Sequence, residues 1–127
     1  MSYKTYEVKI YDDGTKEWYL NGQRHREDGP AVEWTDGTKY WYLNGQLHRE
    51  DGPAFEDSNG YKSWFLNGQR HREDGPAIEY SGGYKEWYLN DEELTEEEWE
   101  KKVRPVKELT VEEISKRLDF DVKIVKG

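Results

Sequence analysis

Three tetrads of histidine, arginine, glutamate and aspartate stand at a constant interval: His25-Arg26-Glu27-Asp28, His48-Arg49-Glu50-Asp51 and His71-Arg72-Glu73-Asp74. Side chains of these types bind metals, move protons and grip anions. Histidine with carboxylates can ligate zinc, whose ligand atoms must each lie ~2 Å from the ion. The same pair can serve as acid and base in hydrolysis. An arginine fork with aromatic neighbours can hold a phosphate, a carboxylate or a base. For that third chemistry the ligand row is His48, Arg49, His71 and Arg72, with Trp41, Tyr42, Trp64 and Phe65 beside it. A nucleotide or an acidic peptide would fit such a row.

The spacing decides among these chemistries. If each interval is one pair of strands, equivalent histidines lie about 10 Å apart, since neighbouring strands are ~4.8 Å apart. They cannot share one metal ion easily, so no metal or other cofactor is expected. A catalytic group is needed once, in a cavity that perturbs its pKa. A tetrad that appears three times points to a rule of the repeating unit, so the chain is not expected to be an enzyme. In the simplest reading Arg26 pairs with Glu27 or Asp28 of its own or a neighbouring unit, and Asp28 forms a turn before Gly29.

The interval itself organises the chain. Trp18-Tyr19-Leu20-Asn21-Gly22 returns as Trp41 to Gly45 and as Trp64 to Gly68, 23 residues apart, and a fourth copy reads Trp87-Tyr88-Leu89-Asn90-Asp91. A fixed period of this length marks a repeat array, and arrays act through extended surfaces. Each unit carries two turn signals. The Asn-Gly at 21, 44 and 67 suits a type I′ turn, and so does the second set, Asp13-Gly14, Asp36-Gly37, Asn59-Gly60 and Gly82-Gly83. The expected fold is mainly β: an elongated antiparallel meander of 23-residue hairpins, about eight strands over residues 1–90. If Asp36 and Gly37 are the two turn residues, Trp34 faces Lys39, Val32 faces Trp41 and Ala31 faces Tyr42. Val32, Trp34, Lys39, Trp41 and Leu43 then share one face, with Glu33, Tyr40 and Tyr42 on the other. The same register sets Phe55 against Trp64, Ile78 against Trp87 and Lys9 against Trp18. Gln23-Arg24-His25 is expected to pair back on the Trp strand, with Glu-Asp-Gly-Pro forming a bulge or crossover that exploits glycine's positive φ.

Residues 91–127 differ in kind and are expected to form a C-terminal cap. Thr95-Glu96-Glu97-Glu98 is a capping box stapled by Leu94 and Trp99, with a helix to about Val103 before Pro105. Thr110 to Glu113 is a second capping box whose helix ends near Leu118, and Val122 to Val125 reads as a short strand.

Composition narrows the partners. The 127-residue chain has 19 basic and 28 acidic residues, a net charge of −9. Direct binding to nucleic acid or an anionic membrane is therefore not expected. There is no cysteine, no apolar run long enough to span a bilayer, and no signal-peptide core in the first residues, so a cytoplasmic location is expected. Aromatic residues make up 15% of a chain poor in aliphatics, so the core must use Trp and Tyr. Dimerisation that buries the Trp face would be favourable.

The aromatic strand leading into Asn44-Gly45-Gln46-Leu47-His48, with Asp36-Gly37 before it, resembles MORN repeats, which share the period; the likeness covers residues 8–90. The chain departs from them where Arg-Glu-Asp-Gly-Pro-Ala replaces a short Gly-x-Gly step. This version is similar to repeats of bacteriophage and giant-virus proteins, and the tail from Leu109 to Lys126 is similar to a helix–strand ending in phage proteins. The resemblance implies hairpin arrays that serve as interaction surfaces. Lipid binding, proposed for some members of that family, fits poorly with a charge of −9. The expected function is that of a phage-encoded binding protein that inhibits a host bacterial defence protein, in the host cytoplasm, through Trp41, Tyr42, His48, Arg49, Trp64, Phe65, His71 and Arg72. A nucleotide-sequestering sponge and a structural scaffold are the alternatives.

Overall fold

The computed structural model describes residues 4–104, 111, 112 and 116. Among the described residues, fourteen strands are laid down in chain order. They are β1 (Tyr6–Ile10), β2 (Lys16–Leu20), β3 (Gln23–Arg24), β4 (Val32–Glu33), β5 (Lys39–Tyr40), β6 (Tyr42–Leu43) and β7 (Gln46–Leu47). After them come β8 (Phe55–Glu56), β9 (Lys62–Ser63), β10 (Phe65–Leu66), β11 (Gln69–Arg70), β12 (Ile78–Glu79), β13 (Lys85–Leu89) and β14 (Glu92–Leu94). Helix α1 (Glu96–Val103) follows them. The main sheet is open, antiparallel and ten-stranded, in the order β1-β2-β4-β5-β8-β9-β12-β13-β14, with β3 paired to β2. The remaining strands form the side hairpins β6-β7 and β10-β11. The helix is too short and too polar to cross a membrane.

Two kinds of turn generate each unit. At Asn21-Gly22, Asn44-Gly45 and Asn67-Gly68 both residues have positive φ, between 50° and 79°, as a two-residue type I′ turn demands. Asn90-Asp91 repeats this without glycine, at 49° and 68°. The predicted return of Gln23-Arg24-His25 onto the Trp strand is present: Tyr19 faces Arg24, and the His25 N–H donates to the Trp18 carbonyl at 3.0 Å.

The Asp-Gly turns differ from the expectation. The Trp34 N–H donates to the Thr38 carbonyl, the Gly37 N–H donates to the Trp34 carbonyl, and of the turn residues only Gly37 has positive φ (95°). The loop is thus three residues, Thr35-Asp36-Gly37, a type I turn closed by a left-handed glycine. The Asp36 carboxylate selects it by accepting the Thr38 N–H at 2.9 Å. One extra loop residue moves the register by one position, and in a strand that changes the face of every side chain. Val32 faces Tyr40 rather than Trp41, Phe55 faces Ser63 rather than Trp64, Ile78 faces Glu86 rather than Trp87, and Val8 rather than Lys9 faces Trp18.

The corrected register separates the aromatic residues. One face carries Val32, Trp34, Tyr40, Tyr42, Phe55, Tyr61, Tyr80 and Tyr84 (the tyrosine face). The other carries Glu33, Lys39, Trp41 and Leu43 with their equivalents (the tryptophan face). Across the tryptophan face Lys16, Glu33, Lys39, Glu56, Lys62, Glu79 and Lys85 stand opposite one another in unbroken alternation of sign. Opposite charges at facing positions contribute about 0.2–1 kcal/mol per pair and favour this register over its neighbours.

At the C-terminal end the predicted capping box is formed. Thr95 Oγ1 accepts the Glu98 N–H, and the Glu98 carboxylate accepts the Thr95 N–H. Leu94 and Trp99 are both buried. The fourth hairpin runs through Asn90-Asp91 into β14, so the segment after residue 90 begins as a strand. Of the second predicted helix only Val111, Glu112 and Lys116 are described, all helical. Its remaining residues and the predicted strand at 122–125 lie outside the described residues.

Candidate functional site

The tetrads are clamps within the array. Arg26 lies over the Trp18 ring at 4.0 Å, Arg49 over Trp41 at 3.9 Å and Arg72 over Trp64 at 3.8 Å. Each Nε–H donates to the aspartate two residues on, as Arg49 does to Asp51 at 3.1 Å. Each Nη1 donates to the proline carbonyl four residues on, as Arg49 does to Pro53 at 3.1 Å. The guanidinium also lies against a glycine. A Cβ built on Gly29, Gly52 or Gly75 would stand 2.7–2.9 Å from the arginine Cζ. These glycines do not have positive φ. They are required for space, which replaces the conformational reason expected from the sequence. The following alanines, Ala31, Ala54 and Ala77, are fully buried, and their carbonyls accept the N–H of Trp18, Trp41 and Trp64. Gly52→Ala is accordingly expected to cost about 1–3 kcal/mol, because Arg49 is fixed by Trp41, Asp51 and Pro53 and cannot swing away. Equilibrium unfolding in urea checks it, and an unchanged midpoint would refute the clamp.

The histidines join one unit to the next. Nδ1 of His25 accepts the Asn44 N–H at 2.9 Å, Nδ1 of His48 accepts that of Asn67 at 2.9 Å, and Nδ1 of His71 accepts that of Asn90 at 3.0 Å. Nε2 then carries the proton and faces Glu27, Glu50 or Glu73 at 3.3, 3.7 and 3.5 Å. Arg26 N–H to Tyr42 O and Gly45 N–H to Arg24 O complete the same junction.

The eight predicted site residues therefore do not converge. Trp41, His48 and Arg49 line a groove of 680 Å³ on the tryptophan face, and Trp64, His71 and Arg72 line its neighbour of 540 Å³. Tyr42 and Phe65 project from the other face. Both grooves are edged by Glu50 and Asp51, and their arginines are already engaged. The Trp face itself is covered by arginines and, at Trp87, by Trp99, whose ring lies 4.6 Å away. The Trp rings of this face are thus packed within the chain.

The tyrosine face offers an uncommitted surface. Ring contacts run without a break through Trp34, Tyr40, Phe55, Tyr61, Tyr80 and Tyr84, at centroid distances of 4.6–5.5 Å. Trp34, Tyr80 and Tyr84 are exposed, the last at 64%. Near the middle of this ladder is a hollow of 490 Å³ lined by Tyr40, Leu47, Phe55, Tyr61 and Phe65, with Ser63 and Asp57 as its polar members. Two departures from the repeat create it. Leu47 stands where the flanking units have Arg24 and Arg70, which cover the rings of Tyr42 and Tyr88. Buried Ser63 stands where the other units have Glu17, Tyr40 and Glu86.

Burial disfavours the charged form of three tyrosines on this face. It raises the pKa of Tyr40 and Tyr61, and together with a hydrogen bond to Glu86 it pushes Tyr88 up to about 12. A phenol whose pKa is raised by folding stabilises the fold fully below its unfolded value near 10, and the contribution disappears as pH rises through the folded value. Stability is therefore expected to fall between about pH 10 and pH 12. Tyr88→Phe should flatten that fall in alkaline unfolding curves, and identical curves would refute the assignment.

No family model matches the chain, and neither the curated proteins nor the solved structures yielded a match.

Proposed function

We propose that the protein is a non-catalytic binding module that holds another protein on its tyrosine face, centred on the hollow of Tyr40, Leu47, Phe55, Tyr61 and Phe65. The observation that carries this reading is that the repeat gives up its covering arginine at Leu47 and leaves apolar surface among aromatic rings. Aromatic enrichment and depletion of charge at the centre, inside a polar rim, is the composition of protein interfaces. The net charge of −9 favours a partner with a basic surround. The likeness of the repeats to bacteriophage sequences makes a bacterial host protein the target class, with a defence factor blocked by obstruction of its working surface.

The test is native mass spectrometry of the tagged chain recovered gently from a bacterial lysate. The expected spectrum shows one host protein at stoichiometric level. Bare chain, or chain carrying only a few hundred daltons of extra mass, would overturn the reading, the latter in favour of a sequestered nucleotide.

A further inference from the structure

Strand β1 is the outermost strand at the N-terminal end of the sheet, and all five of its residues are exposed. Among the described residues no strand pairs with its outer side. Its backbone polarity follows from its pairing with β2. The Tyr11 N–H donates to Thr15 and the Asn21 N–H to Thr5, so the odd-numbered residues bond inward. Hydrogen-bonded and non-bonded positions alternate in an antiparallel ladder. The N–H and C=O groups of Tyr6, Val8 and Ile10 therefore point out of the sheet edge. The side chains of those three residues are apolar and 48–68% exposed on the tryptophan face, while Glu7 and Lys9 lie on the tyrosine face.

We propose that this edge pairs with the same edge of a second copy, antiparallel and centred on Val8. Val8 then exchanges both backbone hydrogen bonds with its own counterpart, and Tyr6 does so with Ile10 of the second copy. Glu7 faces Lys9 of the second copy, twice. The neighbouring registers are disfavoured by charge: centring on residue 7 sets Glu7 against Glu7, and centring on residue 9 sets Lys9 against Lys9. Like charges directly opposite are destabilising. Registers centred between residues would bring inward-bonding groups to the seam. The sequence Tyr-Glu-Val-Lys-Ile is thus self-complementary in a single alignment, and the two-fold axis stands normal to the sheet, as an isologous interface requires. Both tyrosine faces end on the same side of one continuous sheet, which gives the dimer two copies of the candidate site in a common plane. Five residues a side make a small contact, so the dimer should be weak and concentration-dependent.

Sedimentation of the full chain from micromolar into the hundreds of micromolar tests this. The wild type should rise from 15.2 kDa towards twice that mass. Glu7→Lys and Lys9→Glu should each stay monomeric, since each sets like charges opposite one another at both seam pairs. Their equimolar mixture should recover the dimer. One variant is then basic at positions 7 and 9 and the other acidic at both, so opposite charges face each other in both pairs. Val8→Pro should be monomeric with unchanged circular dichroism, since the N–H it removes bonds nothing within the chain. If Val8→Pro does not fold, the mixture of charge variants still decides. A wild type that stays monomeric throughout, a dimer that survives Val8→Pro, or a mixture that fails to associate would overturn the proposal.

Discussion

Trp99→Ala is expected to lower the stability of the fold by about 3–5 kcal/mol, the range for removing a large buried aromatic. Only 2% of Trp99 is exposed, its ring lies 4.6 Å from that of Trp87, and its indole N–H donates to the Arg72 carbonyl at 2.8 Å. Its role follows from the repeat. Trp18, Trp41 and Trp64 are each covered by the arginine eight residues on. At Trp87 the series ends, because Thr95 holds that position and serves as the helix N-cap. Helix α1 then brings Trp99 onto the uncovered ring, so a tryptophan does for the last unit what an arginine does for the others. Trp99→Phe keeps a ring but leaves the Arg72 carbonyl without its donor, and should cost about 1–3 kcal/mol. Equilibrium unfolding measures both. A cost below about 1 kcal/mol for the alanine variant would mean that the helix is not what closes the array.

Leu47→Arg is expected to abolish partner binding, by about 30-fold or more, while leaving stability within about 0.5 kcal/mol. The substitution restores the residue found at the equivalent positions 24 and 70. Arg24 lies 5.6 Å from the Tyr42 ring and Arg70 4.3 Å from the Tyr88 ring, so the fold already accommodates arginine at this site twice. An arginine at 47 would lie over Phe65, fill the hollow and place a charge at the centre of the apolar patch. Thermal unfolding and titration against the captured partner separate the two effects. Loss of the fold together with loss of binding would leave the hollow unassigned to a partner.

Much of this architecture is legible in the sequence because turn chemistry is local. Asn-Gly specifies positive φ at two residues, and the helix start is written in Thr95 and Glu98. The register of the other hairpin is not legible from Asp-Gly alone, since that dipeptide serves both a two-residue loop and the end of a three-residue loop. The carboxylate of Asp36 on the Thr38 N–H decides between them, and the face of every side chain from Val32 to Leu43 depends on the outcome. A signal was nevertheless present: Lys at 16, 39, 62 and 85 alternates with Glu at 33, 56 and 79, and only the longer loop sets them opposite one another. The clamp of Arg49 against Gly52 is not legible, because a glycine before proline in a turn suits positive φ as well as close packing. The hollow was also detectable as the place where Leu47 and Ser63 break the repeat. A period draws attention to what recurs, whereas a binding centre needs to occur once.

The most direct test of the central claim compares the two faces on the same captured partner. Leu47→Arg alters the tyrosine face, and Glu50→Arg alters the groove of the tryptophan face, where Glu50 is exposed. Isothermal titration of both variants should show binding lost in Leu47→Arg and retained in Glu50→Arg. Retained binding in Leu47→Arg with loss in Glu50→Arg would contradict the assignment and move the site to the row of histidines and arginines.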